Sequence, residues 1–220
     1  MPTFFEPDQR IPSNLRDIFG HLKGELVELH QSFEEFHSLY LSQAKVEVLN
    51  KTAPVFFARH QAILANELVL SISRLTDPNQ NRSRNKENLT FSCLLDDQIK
   101  ANAPALFASL ELNWSKLSKN SIPVRFLRNK RIAHTDLATR LTPESPIGKD
   151  VTVARIRQIL AQMVTFLNAF EFHFTDAITA YDGILEYGNE GDLVQYLRDG
   201  LTSHARFLES LTGRGNQEPT

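Results

Sequence analysis

The chain has 220 residues, with 24 basic side chains against 26 acidic ones, which excludes a protein that grips nucleic acid through overall positive charge and leaves any phosphate-binding surface to local clusters. A single cysteine, Cys93, excludes an intramolecular disulfide and a cysteine zinc cluster and fits a reducing cytoplasm. The first residues form neither a basic leader nor an apolar signal run, and no window approaches the roughly 18 uninterrupted apolar residues of a membrane helix, so a cytoplasmic protein without membrane association is expected.

The pattern predicts an all-α fold: an up-and-down bundle of four to five core helices with additional terminal helices, in one domain over residues 1–220. A first helix at about 15–40 carries the stripe Leu15, Ile18, Phe19, Leu22, Leu26, Leu29, Phe33, Phe36 and Tyr40. A less regular stretch follows at 42–50. A second helix runs from about Thr52, with Pro54 in its first turn, to Leu75, and Thr76-Asp77-Pro78 stops it. Apolar residues almost encircle this helix, which predicts a central position. The loop from Asp77 to Glu87 is polar, locally basic through Arg82, Arg84 and Lys86, and expected to be mobile. After a short turn at 89–95, a third helix is predicted from about Asp97 to Leu117. Ser121 as N-cap and Pro123 in the first turn then open a fourth, from about Ile122 to Asp136. Leu141 to Gly148 is a breaker cluster. The longest helix is expected at about Thr152–Tyr181 and a last one at about Asp192–Leu211, with residues 213–220 disordered. The core spans about 45–180.

The fourth helix carries the chemistry. Arg125, Arg128, Lys130 and Arg131 give four positive charges and no negative one between Ser121 and Thr135, enough for a local phosphate footprint. Phe126, Ala133, Leu137 and Leu127 form one apolar arc on an ideal wheel, and His134 falls inside it, so His134 is expected to face inward or into an interface. Arg128 lies roughly 120° from His134. One straight helix does not aim both at the same atom; a kink or a second chain is needed. From spacing alone, a core histidine beside surface arginines is favoured.

A second constellation, His60, Glu67 and Arg74, recurs every seven residues on the second helix. It reads as a structural polar network or dimer seam, or else as the lining of a cleft behind the fourth helix, with Arg74 a second phosphate ligand and Glu67 and His60 in support. The other histidines, His21, His30, His37, His173 and His204, read as surface or packing residues. Carboxylate pairs such as Glu34-Glu35 and Asp96-Asp97 read as solvated charge near helix ends. There is no glycine-rich phosphate loop, no zinc-spaced histidine pair and no nucleophile elbow.

The string Arg128-Asn129-Lys130-Arg131-Ile132-Ala133-His134 resembles the signature of the HEPN superfamily: an arginine, a polar residue and, further on, a histidine. Arg128, Asn129 and His134 fill its three positions. The segments Leu70–Pro78 and Asn88–Phe91 resemble the branch linked to phage abortive infection. The resemblance extends over about residues 45–180 and leaves the first helix and the last forty residues unmatched. It implies a bundle that dimerises so that both signature helices line one cleft, and metal-independent endoribonuclease activity with no cofactor and no metal. His134 then moves protons, Arg128 clamps the phosphate, Asn129 positions, and Arg125, Lys130, Arg131 and Arg74 contact RNA. DNA is expected to be inert. Two rivals stand beside this: a non-catalytic module binding RNA, a nucleotide or a nucleotidyltransferase antitoxin, and a purely structural helical dimer. Arg128 exposed in a cleft favours the enzyme; Arg128 in an intrachain salt bridge favours structure.

Overall fold

In a computed structural model the structure describes residues 9–78, 80–81, 86–133, 148–181 and 190–213. The chain is all-α apart from a minimal antiparallel ladder, β1 (Gln80–Asn81) with β2 (Lys86–Glu87), paired Gln80 to Glu87 and Asn81 to Lys86. That ladder sits in the segment expected to be a mobile loop, and residues 79 and 82–85 lie outside the described residues.

Helix α1 (Ser13–Tyr40) is the longest described element at 28 residues. Its stripe is buried as periodicity predicts, with Leu15, Phe19, Leu22, Leu26, Leu29 and Phe33 all at most 3 % exposed. The stretch expected to be irregular is a helix, α2 (Gln43–Thr52). It ends at Ala53, whose φ of −149° and ψ of 72° leave the helical region, because Pro54 crowds the residue before it. Helix α3 (Pro54–Thr76) begins at that proline. The same device cuts the predicted third helix in two. Ala103 takes φ −140° and ψ 64° before Pro104, separating α4 (Asp97–Asn102) from α5 (Pro104–Asn120). A 3₁₀ turn (Phe91–Leu94) precedes α4, which Asp96 caps by accepting from the Gln98 N–H at 2.7 Å.

Helix α6 covers Ile122–Leu127 only. Ser121 does not cap it. Its backbone is already helical, and its buried hydroxyl donates back to the Leu117 carbonyl at 2.9 Å. Beyond Leu127 the chain winds as a π-helix, Arg128–Ala133, so the predicted continuous α-helix to Asp136 is not observed, and residues 134–147 lie outside the described ones. Helix α7 (Val153–Thr175) is capped by Thr152, which accepts from the Arg155 N–H at 3.2 Å. It stops six residues short of the expected Tyr181 because Asp176 turns left-handed, at φ 54° and ψ 23°. The Asn168 side chain then holds Thr179 from both sides, donating to its carbonyl and accepting from its N–H, each at 3.1 Å. Ile178, expected on the helical stripe, is 70 % exposed in that turn. Helix α8 (Glu190–Gly213) closes the described chain; residues 214–220 lie outside it.

The chain divides into two compact units. The first comprises residues 1–31 and 66–184. There α5 packs along α7, Phe19 stacks on Phe170 at 5.2 Å and Phe91 meets Phe166 edge-on at 5.5 Å between ring centroids. Lys23 and Glu171 form a buried ion pair at 2.5 Å inside this unit. The second comprises residues 32–65 and 185–220, and its core gathers Leu39, Tyr40, Leu49, Phe57, Leu64 and Val194. Helix α3 is not covered all round as its composition suggests: Val55, Phe56 and Ile63 are more than half exposed, while Phe57, Leu64, Ile72 and Leu75 are buried.

Candidate active site

The signature begins where three helix ends meet in the first unit. Thr76 is the last residue of α3 and Ser118 lies in the last turn of α5, so both present carbonyls left without helical partners. Arg125 answers both. Its guanidinium donates to the Thr76 carbonyl at 2.8 Å and to the Ser118 carbonyl at 3.0 Å, placing a cation on the negative ends of two helix dipoles. Burial lowers its pKa, the Asp77 carboxylate works against that shift, and the neighbouring Arg128 charge adds to it. An arginine remains charged under these conditions. Arg125 is therefore committed to the scaffold by two backbone contacts.

Arg128, one turn further on, is the first residue of the π segment. Its Nη1 and Nη2 both reach the Asp77 carboxylate, the second at 3.3 Å, and its Nε donates to the Asn129 amide oxygen at 3.0 Å. Three of the five N–H donors of a guanidinium are thereby used. The Arg128 and Asp77 side chains are 19 % and 24 % exposed. The Asp77 oxygens occupy the fork that two phosphate oxygens would take, since both anions suit the same bidentate geometry. Asn129 is exposed and held by its neighbour, and Lys130 is half-buried.

The π winding changes what the helical wheel implies. Hydrogen bonds spaced five residues apart widen each turn by roughly one residue, and such segments recur at functional sites. The ideal angle between Arg128 and His134 therefore does not carry past Leu127. His134 itself, and the side chain of Arg131, lie outside the described residues. Of the apolar arc assigned to this helix, Phe126 is 49 % exposed and Leu127 half-buried; the core-facing residue is instead Val124, fully buried beside Ser121. Gly148, with φ +94°, supports the segment from behind, since a Cβ there would meet a Leu127 methyl at 3.3 Å.

His60, Glu67 and Arg74 do not converge. Seven residues on one helix rise about 10.5 Å, too far for three side chains to share a ligand, and each has its own partner. In the second unit His60 Nε2 faces the Glu35 carboxylate at 3.3 Å and its Nδ1 meets the Tyr40 hydroxyl at 2.8 Å. Phe56 lies parallel to its ring. Burial, helped by the Glu35 charge, raises the Tyr40 pKa. In the first unit Glu67 accepts from the Ser71 hydroxyl at 2.7 Å, and Arg74 pairs with Glu25. The stripe is half-exposed because one flank of α3 is open.

Sequence reasoning missed Asp77, which it took only as a helix stop, and the partners Glu25, Glu35 and Tyr40. The one available signal was proximity: an acidic residue directly after α3, within the segment that resembles the abortive-infection branch. No three His, Cys, Asp or Glu side chains among the described residues are placed to hold a metal ion, and no described helix is long and apolar enough to cross a membrane.

The AbiU2 family, of HEPN type, matches residues 12–196, and this span takes in α1 to α7 and the first turns of α8. The chain belongs to the AbiU2 HEPN family. Its all-α architecture is the one such a domain requires, and the family is one of abortive infection. The match reaches well beyond the 45–180 suggested by the signature and its flanking segments, because α1 belongs to the matched region. No curated protein and no solved structure matches the chain.

Proposed function

We propose that this AbiU2 HEPN chain is a metal-independent endoribonuclease acting as a phage-defence effector. The observation that carries the reading is the Arg128–Asn129 couple, a guanidinium and an amide locked together at the head of a π-helical signature. In the proposed reaction a 2′-hydroxyl of RNA attacks the adjacent phosphorus and the bond to the 5′-oxygen breaks. His134 of one or both protomers takes the 2′ proton and returns a proton to the leaving 5′-oxygen, the roles an imidazole fills near neutral pH. Arg128 carries the phosphorane charge, and Asn129 holds the guanidinium edge or the substrate. Lys130, Arg131 and Arg74 extend the phosphate footprint. A two-fold dimer supplies two signature histidines where one chain supplies one. The products are a 2′,3′-cyclic phosphate and a 5′-hydroxyl. Incubation of the protein with an RNA oligonucleotide and its all-deoxy counterpart in chelator tests this. Cleavage of RNA alone is expected; cleavage of DNA, or loss of RNA cleavage on chelation, overturns it.

The Asp77 pairing of Arg128, an intrachain salt bridge, favours the structural reading, in which the chain is a non-catalytic helical module. Under it, Arg128 is a strut like Arg125. Arg128→Lys separates the two, because lysine keeps the charge but not the fork. Lost cleavage with retained stability supports the enzyme, and lost stability alone supports the module.

A further inference from the structure

Charge is unevenly placed along this chain. Residues 112–133 and 151–170 together hold eight of its 24 basic side chains and none of its 26 acidic ones. The first stretch is the second half of α5, then α6 and the π segment; the second takes in most of α7. Both belong to the first unit, and hydrogen bonds gather their ends at one place in it. The Arg125 guanidinium donates to the Ser118 carbonyl at 3.0 Å and the Arg155 guanidinium to the Asn120 carbonyl at 3.5 Å. The Asn120 amide donates to Gln162 Oε1 at 3.1 Å. The last turn of α5 is thereby tied both to α6 and to the start of α7.

Four of these cations, Lys116, Lys119, Arg155 and Arg157, lie outside the signature helix, and helix stability accounts for only two of them. Lys116 and Lys119 stand in the last turns of α5, where the helix dipole favours positive charge. Arg155 and Arg157 stand in the first two turns of α7, where the dipole opposes positive charge and the first turn holds no acidic residue to offset them. Lys116, Lys119 and Arg157 are exposed and Arg155 is half-buried. Of the flanking carboxylates, Asp77 is taken by Arg128, and Asp150 stands next to Lys149, both exposed. We infer that this end of the first unit is an RNA-binding surface, on which the strand continues past the signature with its phosphates on Lys116, Lys119, Arg155 and Arg157. A repeating anion is the ligand that fits, because cations from two helix ends, presented without carboxylates between them, serve several phosphates at once. Contacts of this kind fix position and carry no sequence information, so these four residues set affinity and leave the reaction to the signature.

The inference rests on RNA as the ligand of the proposed nuclease and adds residues that take no part in its chemistry. Fluorescence anisotropy of the full chain with a labelled single strand of fully 2′-O-methylated RNA, which lacks the attacking hydroxyl, gives the Kd across a salt series. Lys119→Gln combined with Arg157→Gln is expected to weaken binding at least about tenfold at low salt and to lower the slope of log K against log salt by about 1.4. Lys51→Gln combined with Lys100→Gln removes the same charge from exposed positions on α2 and α4 and is expected to change neither quantity. Unchanged thermal melting confirms that both double variants fold. No binding by the wild-type chain, an unchanged slope in Lys119→Gln/Arg157→Gln, or an equal loss in the Lys51→Gln/Lys100→Gln chain overturns the inference; the second of these outcomes assigns the cations to a partner other than RNA. Cleavage of unmodified RNA by the wild-type chain is read separately. A lowered slope with no cleavage keeps the surface and removes the nuclease, and full cleavage with an unchanged slope does the reverse.

Discussion

Two intrachain ion pairs of the first unit, Lys23–Glu171 and Arg128–Asp77, join the same kinds of groups in different surroundings. Lys23 and Glu171 are each about 10 % exposed, the Thr179 hydroxyl donates to the second Glu171 oxygen at 2.8 Å, and the ammonium lies 5.8 Å from the Phe19 ring centre. Removing one partner strands the other in a medium that solvates it poorly. Arg128 and Asp77 are about twice as exposed, so an incoming anion can take the place of the Asp77 carboxylate on the Arg128 guanidinium at a lower cost than any exchange at the Lys23 site. The buried pair holds helices together. The less buried one sits on the signature.

The comparison is broken most severely by Glu171→Leu, which leaves Lys23 buried without its carboxylate. A loss of about 3–5 kcal/mol is expected in chemical denaturation, and adding Lys23→Met should recover most of it; a loss below about 1 kcal/mol would refute the contrast. Gly148→Ala, behind the signature, forces a side chain into a left-handed backbone and against Leu127, at an expected cost of about 1–2 kcal/mol. Asp77→Asn sharpens the other arm. It should destabilise the fold by less than about 1 kcal/mol while raising RNA affinity and steepening its salt dependence by roughly one phosphate contact. Weaker RNA binding in this variant would mean that Asp77 orients Arg128 for its ligand.

The smallest effect concerns Tyr181, 2 % exposed, whose hydroxyl lies near Thr179 and the Glu171 carboxylate. Burial first, and the Glu171 charge second, push its pKa well above the ordinary tyrosine value. A phenol that holds its proton more tightly folded than unfolded adds stability that is complete below about pH 10 and lost as pH rises further. Tyr181→Phe should therefore lose stability less steeply with alkali than the parent chain, while changing it at neutral pH by less than about 1 kcal/mol. Identical alkaline slopes would contradict this.

Helices were legible where a single stripe repeats, as in α1 and α7, because periodic burial is encoded locally. Pro54 was legible as a start but not as a break, and Pro104 as neither: each ends the helix before it as well as opening the next, which is what divides α2 from α3 and α4 from α5. The signature residues were readable as a string, since Arg128, Asn129 and His134 are close in sequence. Asp77 was not, because it is 51 residues away from Arg128 and tertiary packing alone brings it there. The π winding was equally hidden, since nothing in Arg128–Ala133 distinguishes five-residue from four-residue hydrogen-bond spacing. The stripe His60, Glu67, Arg74 was legible as one helix face, but its separate partners, Glu35 and Tyr40, Ser71, and Glu25, were not, because tertiary packing or the neighbouring turn supplies them.

The most direct test of the central claim is to incubate the wild-type chain and His134→Ala with total cellular RNA in chelator and to analyse the fragment ends. Cyclic-phosphate ends from the wild type, reduced by about 10²- to 10⁴-fold in a folded His134→Ala, are the predicted result. Fragments that persist unchanged in His134→Ala, or no cleavage by wild type across RNA substrates, would contradict the assignment of the signature as a ribonuclease site.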